Sequence, residues 1–268
     1  MKEVNSIPTS QRDLTHWTQK IFPVFKFAIR SGYLSFEVKG AENILTEEPV
    51  LYAANHSSWL ALDGLLIPYA IYQVKGTEHI PYGIIHDILF KLPFINRFLE
   101  KCGSIPVSWV RDLRKLPSES KSFGIFPEGD SGNSKPFWQA YRMKKWKRGF
   151  IRLAITRKIK IIPVAVQGLE ESMPVAFTLK SLKSRWGTFA GFPLFPIPLP
   201  TRCQITFCKP IDLTGYPESI LHNRQELEKI ADEIRSIVQN TLDQETSNRP
   251  LARFSKLISK LAPTASSS

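Results

Sequence analysis

The chain of 268 residues predicts an α/β fold: one domain with a mixed central sheet and helices packed on it. Two observations carry this. Short runs rich in β-branched and aromatic residues, bounded by turn residues, recur along the sequence. Segments with apolar residues at helical spacing fall between them. Strands that alternate with helices argue for a layered α/β domain. The length suits one large domain that buries a full core without disulfides or metals.

Residues 1–13 read as a flexible tail and 14–245 as the folded domain. In 14–31, Trp17, Ile21, Phe25, Ala28 and Ile29 recur at helical spacing with Lys20, Lys26 and Arg30 between them. Pro23 is expected to kink or divide this helix. Two readings stand for it: a helix packed on the core, or an interfacial helix lying on a membrane. Six strands are expected: YLSFEVKG (33–40), PVLYAAN (49–55), GSIPVS (103–108), FGIFPEG (123–129), KIIPVAVQG (160–168) and RCQITFCKPI (202–211). Helices are expected over about 59–73, 85–100, 109–116 and 148–158. The clearest helix is 217–245, with a stripe of Ile220, Leu227, Ile230, Ile234, Ile237, Val238 and Leu242, and a proline and acids at its start. From Thr246 to Ser268 the chain reads as a flexible tail holding a short basic amphipathic piece, ARFSKLISKLA.

Hydrophobic residues make up 43% of the chain, an ordinary globular value, and the formal net charge is +12. A basic surface meets nucleic acids, anionic membranes or phosphorylated substrates. Cys102, Cys203 and Cys208 form no C-x-x-C pair, and no His/Cys cluster has zinc spacing. A reducing compartment and no metal are therefore expected. The start, MKEVNSIPTSQRDL, has no apolar core like that of a signal peptide, and no stretch reaches the length of a membrane span. Any membrane role is expected to be peripheral, on the cytoplasmic side. Nucleic-acid binding rests on charge alone, since the lysines interleave with apolar blocks and no motif accompanies them.

No G-x-S-x-G, G-x-x-x-x-G-K-[ST] or H-E-x-x-H is present, so serine-hydrolase, kinase and zinc-protease chemistry have no footing. One histidine stands out. PVLYAAN delivers His56 to the carboxyl edge of the sheet, where ligands bind in α/β folds. Imidazole suits a general base near neutral pH, and a carboxylate on its other nitrogen orients it best. Asp63 is the nearest carboxylate. On one continuous helix the two residues would lie about 10 Å apart along the axis, too far to bond. The pairing requires His56 in the turn and Asp63 in the first turn of the helix. Ser57 and Ser58 read as turn or capping residues.

A second constellation lies downstream. IFPEGDSGNSKPF ends a strand at Phe126 and turns through Pro127, Glu128 and Gly129. RMKKWKRGFIRLA then gathers Arg142, Lys144, Lys145, Lys147 and Arg148 ahead of an apolar helix. This basic run is either a solvated face or an anion site.

In order, NHSSWLALD, GSIPVS, IFPEGD, KRGFIRLA and IIPVAV resemble the signature blocks of the glycerolipid acyltransferase superfamily, typified by lysophosphatidate acyltransferase, across about residues 36–213. Two features depart from its commonest pattern. Six residues, rather than four, separate His56 from Asp63, and Ala61 occupies the usual aspartate position. The longer spacing is similar to a branch of diacylglycerol acyltransferase-like and phytyl-ester-synthase-like proteins. Trp109 and Asp130 stand where phosphate-binding blocks carry arginine or lead toward it, which removes a bidentate phosphate contact. Arg111 is the remaining candidate for that contact.

The resemblance implies a glycerol-phosphate acyltransferase-like fold and an O-acyltransferase with a His56–Asp63 base. It implies a thioester donor, acyl-CoA or acyl carrier protein, as co-substrate, with no cofactor. The acceptor is implied to be a glycerolipid or other lipid alcohol, and the surface partner an anionic membrane. Substrate-facing roles fall to Asn55, Ser58, Phe126, Pro127, Glu128, Gly129, Arg111, Lys147, Arg148 and Gly149. The competing reading is a non-catalytic lipid-binding protein of the same fold. The uncharged run 186–200, WGTFAGFPLFPIPLP, is either a buried crossover or a loop dipping into a bilayer.

Overall fold

Strand β2 (Val50–Ala54) is buried at every residue and sits near the middle of the sheet. A parallel strand covered on both faces needs such a continuous apolar run. A computed structural model describes residues 13–117, 121–179 and 190–261. Seven strands make the main sheet: β1 (Leu34–Lys39), β2, β3 (Tyr82–Ile85), β4 (Ile105–Pro106), β5 (Phe123–Ile125), β6 (Lys160–Gln167) and β9 (Thr201–Phe207). Their spatial order is β1-β9-β6-β2-β5-β3-β4. Strands β2 to β6 run parallel, β9 opposes β6, and β1 runs parallel to β9. The sheet is mixed, as the sequence predicts. A separate antiparallel hairpin joins β7 (Val175–Leu179) to β8 (Ala190–Pro193).

The chain enters through α1 (Leu14–His16), a π-helical turn (Trp17–Ile21) and α2 (Phe22–Arg30). Further helices are α3 (Asp63–Lys75), α4 (Ile95–Lys101), α5 (Asp130–Asn133), α6 (Gly149–Arg157), α7 (Leu169–Ser172), α8 (Arg224–Glu245) and α9 (Pro250–Leu261). The pleat of β2 divides two cores. Leu51 and Ala53 face α6 and α8, while Val50, Tyr52 and Ala54 face α2 and α3.

Several expected boundaries move, each for a local reason. Pro23 does not break the N-terminal helix. Its missing N–H and its ring, which crowds the carbonyl four residues back, are met by the π-turn just before it. Trp17, Ile21 and Phe25 are buried, and the Trp17 indole donates to the Cys102 carbonyl at 3.1 Å, so one face of this helix packs on the core. The expected helix over 85–100 splits into a 3-10 turn (Asp87–Lys91) and α4, because Leu92, held extended by Pro93, separates them. The 109–116 segment forms 3-10 turns (Val107–Arg111 and Leu113–Lys115) instead of a helix. Helix α8 begins at Arg224 rather than near Pro217, because Asn223 caps it by accepting from the Glu226 amide at 3.1 Å. In its stripe Ala231 is buried, and Ile237 is 40% exposed.

The expected C-terminal tail is helical over Pro250–Leu261. Phe254 of that helix stacks on Phe137 at 6.0 Å. The expected tail residues 1–12 and 262–268 lie outside the described residues, as do Trp186–Phe189 of the uncharged run. The rest of that run forms β8 and an irregular segment with Phe195 and Ile197 exposed, so over these residues it is not a buried crossover. No helix among the described residues is long and apolar enough to cross a membrane, and no cluster there could hold a metal ion.

Candidate active site

Asn55 continues β2 with its side chain. Its Nδ2 donates to the Val166 carbonyl at 2.8 Å, and its Oδ1 accepts from the Val166 amide at 2.7 Å. The carboxamide copies a strand's donor–acceptor pair and fixes where β2 ends against β6. Both of its polar ends are occupied and it is fully buried, so in this structure it stands behind the site as part of the scaffold.

That anchor sets His56 in the loop before α3, with Asp63 as the first residue of the helix. The condition for pairing is met: His56 Nδ1 lies 2.8 Å from Asp63 Oδ2. Asp63 Oδ2 also accepts from the amides of Ser57 at 2.7 Å and Ser58 at 3.2 Å, and Oδ1 accepts from Gly64 at 3.0 Å. A carboxylate at a helix start gains from such donors. The loop closes through Ala61, whose φ is 54° and whose amide donates to the Ser58 carbonyl at 2.9 Å. The longer His–Asp spacing is thus taken up by one tight turn. Asp63 Oδ2 already accepts from two amides and so accepts from the ring as well; with the proton of this bond on His56 Nδ1, Nε2 is the free base position. Ser58 is fully buried with its amide turned to Asp63.

The F-P-E-G turn backs this pair. Phe126 stacks on the His56 ring at 4.4 Å with planes 20° apart. Glu128 is fully buried and does not face the cavity. Its Oε1 accepts from the His56 amide at 3.1 Å and its Oε2 from the Lys144 amide at 2.8 Å. In this structure Glu128 therefore holds the His56 backbone from behind the cavity wall.

Gly132 lies against both residues. A Cβ there would stand 2.8 Å from His56 Cβ and 2.9 Å from Glu128 Cβ. Gly132→Ala is expected to lower stability by about 1–3 kcal/mol through this overpacking. Urea denaturation checks it, and an unchanged midpoint would mean that the turn has room to spare.

His56, Phe126, Pro127 and Gly129 line a cavity of about 1820 Å³. This exceeds the roughly 300–1,000 Å³ of a drug-sized site. Part of its wall is apolar, with Leu65, Pro68, Ile85, Leu89 and Phe98. Another part carries Arg111, Lys145, Lys147, Arg148 and Arg152, with Gly149 between them. Glu228 answers two of these cations, lying 3.0 Å from Lys145 and 3.2 Å from Arg148, and it also lies 2.8 Å from Arg224. Hydrogen bonds from Arg224 and Lys145 hold its carboxyl down at about 2. Lys147 has no ionic partner among the described residues. Its ammonium stands over Gly129 (φ 61°), where any Cβ would lie 2.8 Å from it. Trp109 is buried in the core, so its indole offers nothing to a ligand. The sequence reading passed over Trp59, a cavity residue whose indole donates to the Gly191 carbonyl of the hairpin at 2.7 Å. It also passed over Lys135 and Glu170, buried behind Glu128.

Residues 35–167, from β1 through β6, match the model of the Acyltransferase family. The chain belongs to that family, within the glycerolipid acyltransferase superfamily. It is 30% identical over 232 residues to an uncharacterized protein of Mycobacterium leprae (strain TN), a match covering 83% of this chain and 63% of that one. The chain thus spans less than two thirds of the length of this mycobacterial relative. It is 28% identical over 139 residues to a 1-acyl-sn-glycerol-3-phosphate acyltransferase of Borreliella burgdorferi, covering 48% of this chain and 50% of that one. Its fold is that of the 1-acyl-sn-glycerophosphate acyltransferase PlsC of Thermotoga maritima, with a TM-score of 0.55 at 21% identity over 86% of this chain and 82% of that one.

Proposed function

We propose that the chain is an O-acyltransferase that moves a fatty acyl group from a thioester donor, acyl-CoA or acyl carrier protein, to a hydroxyl of a glycerolipid or related lipid alcohol. The observation that carries this reading is the His56–Asp63 pair, 2.8 Å apart, at the wall of a cavity with apolar and cationic parts. His56 Nε2 takes the proton of the acceptor hydroxyl. The oxygen attacks the thioester carbonyl, a C–O bond forms, and the resulting oxyanion collapses to break the C–S bond. The thiolate leaves and recovers the proton from the imidazolium, which Asp63 stabilises. The apolar wall suits an acyl chain. Lys147 and Arg148 suit the phosphates of the donor.

A neutral acceptor is favoured over a phosphorylated one. Trp109 is buried, and Asp130 adds negative charge to the cavity wall. A phosphate would depend on Arg111 and on cations partly committed to Glu228. An acceptor panel tests this with acyl-CoA as donor. Mono- and diacylglycerol are expected to give kcat/KM values at least about tenfold above lysophosphatidate and glycerol 3-phosphate, a difference of about 1.4 kcal/mol. Faster transfer to lysophosphatidate, lost in Arg111→Ala, would reverse the assignment of acceptor.

We propose a peripheral seat on the cytoplasmic side of a membrane: a lipid acceptor calls for a membrane surface, and the free thiols Cys102, Cys203 and Cys208 suit a reducing compartment. Val24 and Phe27 of α2 are 64% and 74% exposed beside Lys20, Lys26 and Arg30, an apolar and basic face suited to anionic lipid. Phe27→Asp is expected to abolish co-sedimentation with anionic vesicles. Retention at the wild-type level would exclude α2 as the docking face.

A further inference from the structure

Behind the His56 loop lies a buried charge cluster that the proposed reaction does not use. Lys135 has 3% of its side chain exposed, Glu128 none and Glu170 9%. The Lys135 ammonium lies 3.0 Å from Glu170 and 3.7 Å from Glu128. Glu170 also accepts from the Tyr141 amide. None of the three carries a charge to the surface. A buried lysine is costly unless its charge partners offset the desolvation. Here it connects to the reacting centre through one bond, from the His56 amide to Glu128 Oε1 at 3.1 Å.

We propose that Lys135 is a positioning residue: clamped between Glu170 and Glu128, it anchors the carboxylate that holds the backbone of His56. His56 is gripped at two points. Asp63 fixes its ring through Nδ1, and Glu128 fixes its main chain. Asp63 is set by local amides, but among the described residues Glu128 has two amide donors, from His56 and Lys144, for a fully buried charge. Lys135 supplies the balancing charge. Burial opposes the ammonium, yet Glu128 and Glu170 outweigh it and hold its pKa above the ordinary lysine value. Burial pushes the Glu170 carboxyl up, against the pull of Lys135. Without Lys135, two buried carboxylates would face each other. Glu128 would swing away or neutralise, and the His56 amide would lose its acceptor. Gly132, packed against His56 and Glu128, leaves no slack in this turn.

The kinetic consequence rests on the acyl-transfer reading; the structural one does not. The experiment therefore has two readouts on wild type, Lys135→Met and Lys135→Met/Glu170→Gln, each first confirmed folded by its melting temperature. In the kinetic readout, Lys135→Met is expected to lower kcat about 10- to 100-fold, as misplacement of a reacting group does, with KM for donor and acceptor within about twofold. The double variant removes the repulsion and is expected to recover at least about half of the loss on a logarithmic scale. In the second readout, hydrogen exchange at the His56 amide is expected to quicken at least about tenfold in Lys135→Met while the amides of β6 keep their protection. A merely structural lysine would lower the melting temperature but leave kcat and His56 exchange at wild-type values. That result overturns the proposal, as does a single variant whose KM rises while kcat is unchanged. If the wild type transfers no acyl group, the acyl-transfer reading fails alone, and the exchange readout still decides the role of Lys135.

Discussion

His56→Ala is expected to lower kcat for acyl transfer by about 10²- to 10⁴-fold, the usual contribution of a positioned general base. The imidazole is 11% exposed and lines the cavity, and Asp63 occupies its other nitrogen, so only Nε2 faces a substrate hydroxyl. No other histidine lines the wall beside Phe126 and Gly129; His86, the other cavity histidine, accepts from the Ile88 amide in a separate turn. KM should change little, because the ring makes its decisive contact in the transition state. Steady-state kinetics on a variant with wild-type melting temperature check this. Activity within about tenfold of wild type would remove His56 from the chemistry.

Asp63→Asn is expected to cost about 10³- to 10⁴-fold in kcat while leaving the fold intact. The comparable change in Ser-His-Asp enzymes costs about 10⁴-fold, because the amide imposes the wrong tautomer. In this chain the conflict is sharp. Asp63 Oδ2 accepts from His56 and from the amides of Ser57 and Ser58 at once. An asparagine oxygen in the Oδ2 place keeps the ring and both amides but sets its NH2 against the Gly64 amide, and in either placement the charge that stabilises the imidazolium is gone. In the reverse placement the NH2 meets the ring, Nδ1 becomes an acceptor, the proton moves to Nε2, and the base is blocked. Asp63→Ala is different in kind. It also strands buried amides, each worth about 1–3 kcal/mol, so it should lower stability as well as rate. Kinetics and denaturation on both variants separate the two effects. Full activity in Asp63→Asn would mean that another group orients the ring.

The His56–Asp63 geometry was legible because it is local. The condition on their spacing involves only a strand end and a helix start, and the structure meets it. The bonds of Glu128 are not legible, for the opposite reason. A carboxylate in a turn looks solvent-facing until its donors are known, and these lie 72 and 16 residues away in sequence. The partner of Asn55 is hidden in the same way: Val166 lies 111 residues distant. Lys135 lies in a quoted motif, but its partner Glu170 joins it only once the fold is closed. Six of the seven main-sheet strands were visible as apolar runs; β3, only four residues with a glycine inside, carries too little pattern. Boundaries slipped where one residue outranked periodicity, as Pro93 did before α4 and Asn223 before α8.

The most direct measurement follows a labelled acyl chain from acyl-CoA to a glycerolipid hydroxyl, with thiol release counted in parallel, for wild type and His56→Ala. Wild type should give one ester for each thiol released, and His56→Ala should lose both products together. Thiol release at equal rates in the two proteins, or no ester on any acceptor from a folded wild type that still binds vesicles, would contradict the His56 mechanism. The second of these results would favour a lipid-binding protein without catalysis.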